Sequence, residues 1–242
     1  MAFNLSRFAR GCADLIFPPR CILCGNLPLN RNNPFCADCF SRVRQISTPL
    51  CERCGIPFDN TGGDDHLCGD CITSGPPFAV ARALGSYEST LLDAIHRFKY
   101  RGKVVTGEIL GKFMAGTTYH GFDINDYSLV IPVPLHPRKL RRRGFNQSLI
   151  LAREIADTFG LPLDFTTLKR RLDTTPQIAL GKEMRRKNVR RAFHVTDKER
   201  IEGHRVLLVD DVYTTGSTVG ECARMLLKSK AAQVGVLTLA RA

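Results

Sequence analysis

The chain has 242 residues, 43% of them apolar and 24% charged, enough for one full domain with a small companion and too apolar for a disordered polymer. No run of eighteen apolar residues occurs, which excludes a membrane-spanning helix, and residues 1–17 lack the apolar stretch of a secretory signal, so the chain reads as cytoplasmic. The net charge of +12 is concentrated: residues 138–194 hold fifteen basic and five acidic residues, as an anion site or a nucleic-acid footprint would.

Leu5, Phe8, Cys12, Leu15 and Ile16 predict an amphipathic helix over 1–17. Eight cysteines then form four C-x-x-C knuckles: Cys21/Cys24, Cys36/Cys39, Cys51/Cys54 and Cys68/Cys71. A knuckle turns two thiolates to one side, and two knuckles close a tetrahedral S₄ site suited to zinc. Gly25 and Gly55 each follow a knuckle, so the segment reads as a repeat. Two structural zinc ions, one per ribbon over 18–75, is the expected arrangement; interleaved pairing of the first and third knuckles is the alternative. Disulfides fit poorly without a secretory signal. Cys12 and Cys222 fall on apolar helical stripes and read as buried small hydrophobes.

Gly75-Pro76-Pro77 marks the boundary to an α/β unit over 78–242. The pattern predicts a strand over 78–87, a helix through Leu91, Leu92, Ile95 and Phe98 that ends near 100–102, and a helix over 107–119. A strand at 129–135 stops at prolines; a basic loop at 136–147 and a helix to Phe159 follow. A candidate strand at 163–168, a basic segment at 170–192, a strand at 206–210, a helix at 218–229 and a strand at 233–239 complete the chain. Alternating strands and helices imply a parallel sheet with its ligands at the C-terminal strand ends.

The segment from Val206 to Thr218 carries the sharpest chemistry. An apolar strand runs into Asp210 and Asp211, then into Thr214-Thr215-Gly216-Ser217-Thr218 and a helix start. Loop amides and the helix dipole favour a phosphate, and Gly216 permits close backbone approach. Paired carboxylates suit a ribose diol, and Mg²⁺ can share such a site.

This segment resembles the phosphoribosyl-pyrophosphate (PRPP) motif of type I phosphoribosyltransferases. The resemblance makes Asp210 and Asp211 the ribose-contacting acids and Thr214, Thr215, Gly216, Ser217 and Thr218 the 5′-phosphate loop. It makes Arg143, Gly144, Asn146 and Gln147 the pyrophosphate site, and Arg170, Arg171, Gln177 and Arg185 part of a mobile loop. Purine-salvage members carry an Asp at the position of Thr214 and a Lys near Ser217; their absence argues against a 6-oxopurine acceptor. The threonine pattern looks more like the orotate and amidophosphoribosyl branches. No general base is identified.

The full order is more specific. Four knuckles, Phe98-Lys-Tyr-Arg-Gly102, Ile131-Pro-Val-Pro-Leu-His136, Arg143-Gly-Phe-Asn-Gln147 and Leu208-Val-Asp-Asp-Val212 resemble the ComF competence family. That resemblance implies a double zinc ribbon fused to a parallel-sheet phosphoribosyltransferase-like domain, acting in DNA uptake and natural transformation. It implies Mg-PRPP or a related phosphoribosyl compound as ligand, with single-stranded DNA and an uptake helicase as partners. Three readings stay open at this stage: a phosphoribosyltransferase of unknown acceptor, a catalytically silent PRPP or nucleotide module, and a single-stranded-DNA binder. For the third, Phe35, Phe40, Phe58 and Phe145 are candidate stacking surfaces, though they fit a core better.

Overall fold

The computed structural model describes residues 18–30, 33–59, 62–100, 104–172 and 189–242. The helix expected over 1–17 lies outside them, as do Gln177 and Arg185.

The α/β unit is built on four parallel strands: β1 (Val80–Ser86), β2 (Leu129–Pro132), β5 (Arg205–Tyr213) and β6 (Gln233–Arg241). Their spatial order is β1-β6-β5-β2, with Val206 beside Leu129 and Val209 beside Leu237. Both faces are covered, so the central strands are apolar on both sides. Leu207, Val209, Leu237 and Leu239 face one cluster; Val206, Leu208, Val234 and Val236 face the other.

Helices α3 (Ser89–Tyr100), α4 (Val104–Ala115) and α6 (Gln147–Phe159) cover the first face through Leu91, Ile95, Phe98, Leu110, Met114, Leu151 and Ile155. Helix α7 (Ser217–Lys228) covers the second through Val219, Cys222, Ala223 and Leu226. Cys222 is fully buried, as its place on the apolar stripe predicts.

The two ribbons join one cluster each. Cys21, Phe35, Cys36 and Cys39 are buried with the α3–α4–α6 layer, and Cys51, Cys54 and Cys71 with the α7 layer. Short helices α1 (Ala37–Phe40) and α2 (Gly69–Ser74) follow Cys36 and Cys68, which are their N-caps. Backbone bonds from Ala81 N–H to the Arg53 carbonyl (2.6 Å) and from Ser86 N–H to the Arg44 carbonyl (2.9 Å) cover the free edge of β1. Two arginines complete the attachment. Arg97 donates to the carbonyls of Ile22 (3.0 Å) and Leu23 (2.6 Å) in the first ribbon. Arg82 donates to that of Glu52 (3.1 Å) in the second.

Three expectations need correction. The stretch 136–147 is not a loop: Pro137–Arg143 forms helix α5, with Pro at its start and His136 Nδ1 accepting from the Arg138 N–H (3.3 Å). Arginine, lysine and leucine are strong helix formers, and Gly144 ends the turn at φ 81°. The candidate strand at 163–168 is not continuous. Leu163 makes an isolated bridge to Val130, and Asp164 then closes a turn by accepting from the N–H groups of Thr166 and Thr167. Beyond it, β3 (Leu168–Arg170) pairs antiparallel with β4 (Phe193–Val195), a three-residue strand that periodicity did not predict. The helix expected from 107 begins at Val104 and ends at Ala115.

Candidate functional site

Two metal centres are assembled by local turns. Cys21, Cys24, Cys36 and Cys39 bring their sulfurs within 4.8 Å of one another, and so do Cys51, Cys54, Cys68 and Cys71. Pairing is therefore sequential, one tetrad per ribbon, and not interleaved. A Zn–S bond of about 2.3 Å requires sulfur–sulfur edges of about 3.8 Å. The Cys24–Cys36 and Cys54–Cys68 edges are 3.4 and 3.8 Å.

Burial pushes the thiols up, but backbone N–H groups aimed at sulfur outweigh it at Cys21 and Cys51 and bring both from 9.0 to about 6. Cys51 accepts from the N–H groups of Cys54 (3.5 Å) and Cys68 (3.3 Å). Burial and the neighbouring thiols push Cys39 up to about 12, and Cys71 moves the same way. Four thiolates crowded together need a dication, and four sulfur donors with no open position fit structural zinc.

The acid pair lies where β5 nears its end. Asp210 Oδ1 accepts from Ser148 Oγ (2.8 Å), in the first turn of α6, and from the Asp211 N–H (2.9 Å). Burial, with the Asp211 carboxylate alongside, pushes Asp210 from 3.8 up to about 7; the Ser148 hydroxyl, the Asp211 N–H and the Lys99 ammonium pull the other way. Asp211 Oδ2 is 2.8 Å from Lys99 Nζ, with the two side chains 14% and 17% exposed. Burial works against the charge of Lys99, yet the Asp211 carboxylate prevails and lifts its pKa.

With Asp210 Oδ1 accepting two hydrogen bonds and Asp211 Oδ2 held by an ammonium, the pair is a poor inner-sphere magnesium site. The remaining carboxylate lone pairs still suit hydroxyl donors.

Gly216 caps α7 in the left-handed region at φ 71° and contributes no side-chain acceptor to the first turn. A Cβ there would stand 2.3 Å from the Tyr213 hydroxyl oxygen, so glycine is required by space as well as by φ. Thr215 Oγ1 and Ser217 Oγ are 2.8 Å apart and shape the loop. Thr214, Thr215, Gly216 and Ser217 line one wall of a cleft of about 1000 Å³. Its other wall is the second ribbon, including Cys54, Cys68 and Cys71. Arg241 connects the two walls: it donates to the Cys54 carbonyl (2.6 Å) and its guanidinium lies 4.4 Å from the Tyr213 ring centre.

The remaining residues of the expected site are placed as follows. Arg143 ends α5 and donates to Gln147 Oε1 (3.1 Å). Asn146 caps α6, accepting from the Ser148 N–H (3.2 Å) and donating to the Val133 carbonyl (3.1 Å). Gln147 is 1% exposed, and its Nε2 has no hydrogen-bond partner among the described residues. Arg170 lies on β3 over the Phe193 ring, and the Arg171 N–H donates to the Ala192 carbonyl.

The four candidate stacking phenylalanines are engaged internally. Phe35 and Phe40 pack edge-on against Phe113, Phe58 stacks on His66, and Phe145 stacks on Phe98.

Residues 12–72 match the double zinc ribbon domain model, and residues 146–242 match the phosphoribosyl transferase domain model. DNA utilization protein YhgH of Escherichia coli (strain K12) is 32% identical over 232 residues, covering 94% of this chain and 99% of that protein. Competence protein F of Haemophilus influenzae is 32% identical over 228 residues, covering 92% and 97%. The chain belongs to the ComF family. Competence protein ComFC of Bacillus subtilis is a further relative, 29% identical over 222 residues and covering 88% and 86%. Among the described residues of this ComF-family chain, no helix is long and apolar enough to cross a membrane.

Lys99, Ser148 and Arg241 were not singled out by residue type. Lys99 did leave a signal. It lies four residues after Ile95 and seven after Leu92, on the apolar stripe of α3, where a lysine needs a buried partner.

Proposed function

We propose that the chain binds PRPP as its magnesium complex at the C-terminal ends of β2 and β5 and serves the handling of incoming DNA. The observation that carries this reading is the acid pair held by Ser148 and Lys99, immediately before the glycine-capped loop of α7. The 5′-phosphate would lie against the amides and hydroxyls of Thr214, Thr215, Gly216, Ser217 and Thr218. Asp210 and Asp211 would accept from the ribose hydroxyls. As the anomeric carbon gains positive charge, those carboxylates would stabilise it.

Arg143, the Gly144 turn, Asn146 and Gln147 would receive the pyrophosphate. The Nε2 of Gln147 is a buried donor without a partner among the described residues. Magnesium arrives as part of the substrate, on the phosphates. The DNA role follows from the relatives, which are named for DNA utilization and competence.

Calorimetric titration of Mg-PRPP into the native chain and into the Asp210→Asn/Asp211→Asn chain tests the reading. Binding by the native chain and its loss in the double variant is the expected result. A native chain that does not bind would overturn it. Pyrophosphate release in the presence of an acceptor then separates a transferase from a silent binding module.

A further inference from the structure

The acid pair has a cation of its own. Lys99 Nζ is 2.8 Å from Asp211 Oδ2, and little of either side chain reaches solvent. This is not a loose surface pair, because the residues before Lys99 are fixed. Phe98 is fully buried and stacks on Phe145 with ring centres 5.7 Å apart, beside the turn between α5 and α6. Arg97 is bonded to two carbonyls of the first ribbon. The last turn of α3 is thus pinned from two directions, and the Lys99 ammonium is delivered to Asp211 by the packing around it.

An inner-sphere divalent ion on the same oxygen would stand about 2.1 Å from it, hence within about 5 Å of Nζ. Two cations at that separation in a half-buried site repel strongly. On the other carboxylate, Oδ1 of Asp210 already accepts from Ser148 and from the Asp211 N–H.

We infer that Lys99 is the resident cation of the acid pair and takes the place that a protein-bound divalent ion would hold there, so that the site receives sugar hydroxyls without a metal of its own. The sugar ligand rests on the function proposed above. The exclusion of metal by Lys99 does not.

Manganese alone is the probe. The zinc-loaded full chain is titrated with Mn²⁺ and free Mn²⁺ is followed by electron paramagnetic resonance. Native, Asp211→Asn, Lys99→Arg, Lys99→Met, Lys99→Gln and Lys99→Met/Asp211→Asn chains are compared. Zinc content and melting temperature identify folded material, and Lys99→Gln is read if Lys99→Met fails to fold. The neutral variants should gain one Mn²⁺ site at least about tenfold tighter than any in the native or Lys99→Arg chain, and Asp211→Asn should remove it. A native chain that binds Mn²⁺ as tightly as Lys99→Met, with loss on Asp211→Asn, would overturn the inference. So would neutral variants that gain no site.

Mg-PRPP that fails to bind the native chain would sink the proposed function and leave the manganese result to decide this inference.

Discussion

Asp210 should make the folded chain less stable as pH rises, and Asp210→Asn should remove that loss. The carboxyl is pushed from 3.8 up to about 7 by burial and by Asp211. Between pH of about 4 and 7 the folded chain therefore holds a proton that the unfolded chain has released. The folded state binds more protons, so stability falls across that window; the cost is absent below it and complete above it. At about 1.4 kcal/mol per unit, the full displacement sets a ceiling of about 4 kcal/mol. Solvent reaches this half-buried carboxylate, so the expected cost is about 1–2 kcal/mol.

In a chain of this size that is about 2–8 °C in melting temperature. Thermal melts of the native and Asp210→Asn chains at pH 5, 6, 7 and 8 measure it. The difference between the two chains cancels the titration of zinc ligands and histidines. The advantage of Asp210→Asn over the native chain should grow from pH 5 to pH 7 and stay level from there to pH 8. Parallel curves would refute the reasoning, because Asp210 would then be ionised throughout. The result bears on function, since a carboxylate kept against its preference marks a site shaped for a ligand rather than for stability.

Four further outcomes follow from the contacts above. Elemental analysis should find two zinc ions per chain; a ratio near zero would remove the ribbons from the account. Cys51→Ser should weaken Mg-PRPP binding more than Cys21→Ser does, because the second ribbon faces the phosphate loop across the cleft. Equal losses by calorimetry would count against that coupling. Gly216→Ala should abolish binding and cost about 1–2 kcal/mol or more from the left-handed backbone alone, with the Tyr213 ring displaced besides. An alanine chain with native affinity would show that the loop does not touch the ligand. Arg97→Met, which strips a guanidinium from two ribbon carbonyls, should lower stability by about 2 kcal/mol and speed zinc loss to a chelator; an unchanged rate would mean that α3 does not support the ribbon.

What the sequence alone determined about this protein is whatever its physics keeps within a few residues. A C-x-x-C knuckle presents two thiolates because of its own turn, so all eight ligands were legible. So was the run from Val206 to Thr218, where strand, acids, glycine and helix start are contiguous. Short segments were legible only in part. Residues 137–143 read as a loop following a strand that stops at prolines, whereas proline at the start and glycine at the end make them a helix. Strands of three residues, such as β4, are too short to show a period.

Tertiary structure decided the rest. It paired the knuckles in sequence order, set the second ribbon across the cleft from the phosphate loop, and brought Lys99 to Asp211. Each of these joins groups that are far apart in the chain or local units that could pair in more than one way. The choice rests on burial: Phe98, Leu151 and Val209 fill one face of the sheet together, and that packing carries the Lys99 ammonium to a carboxylate more than a hundred residues away.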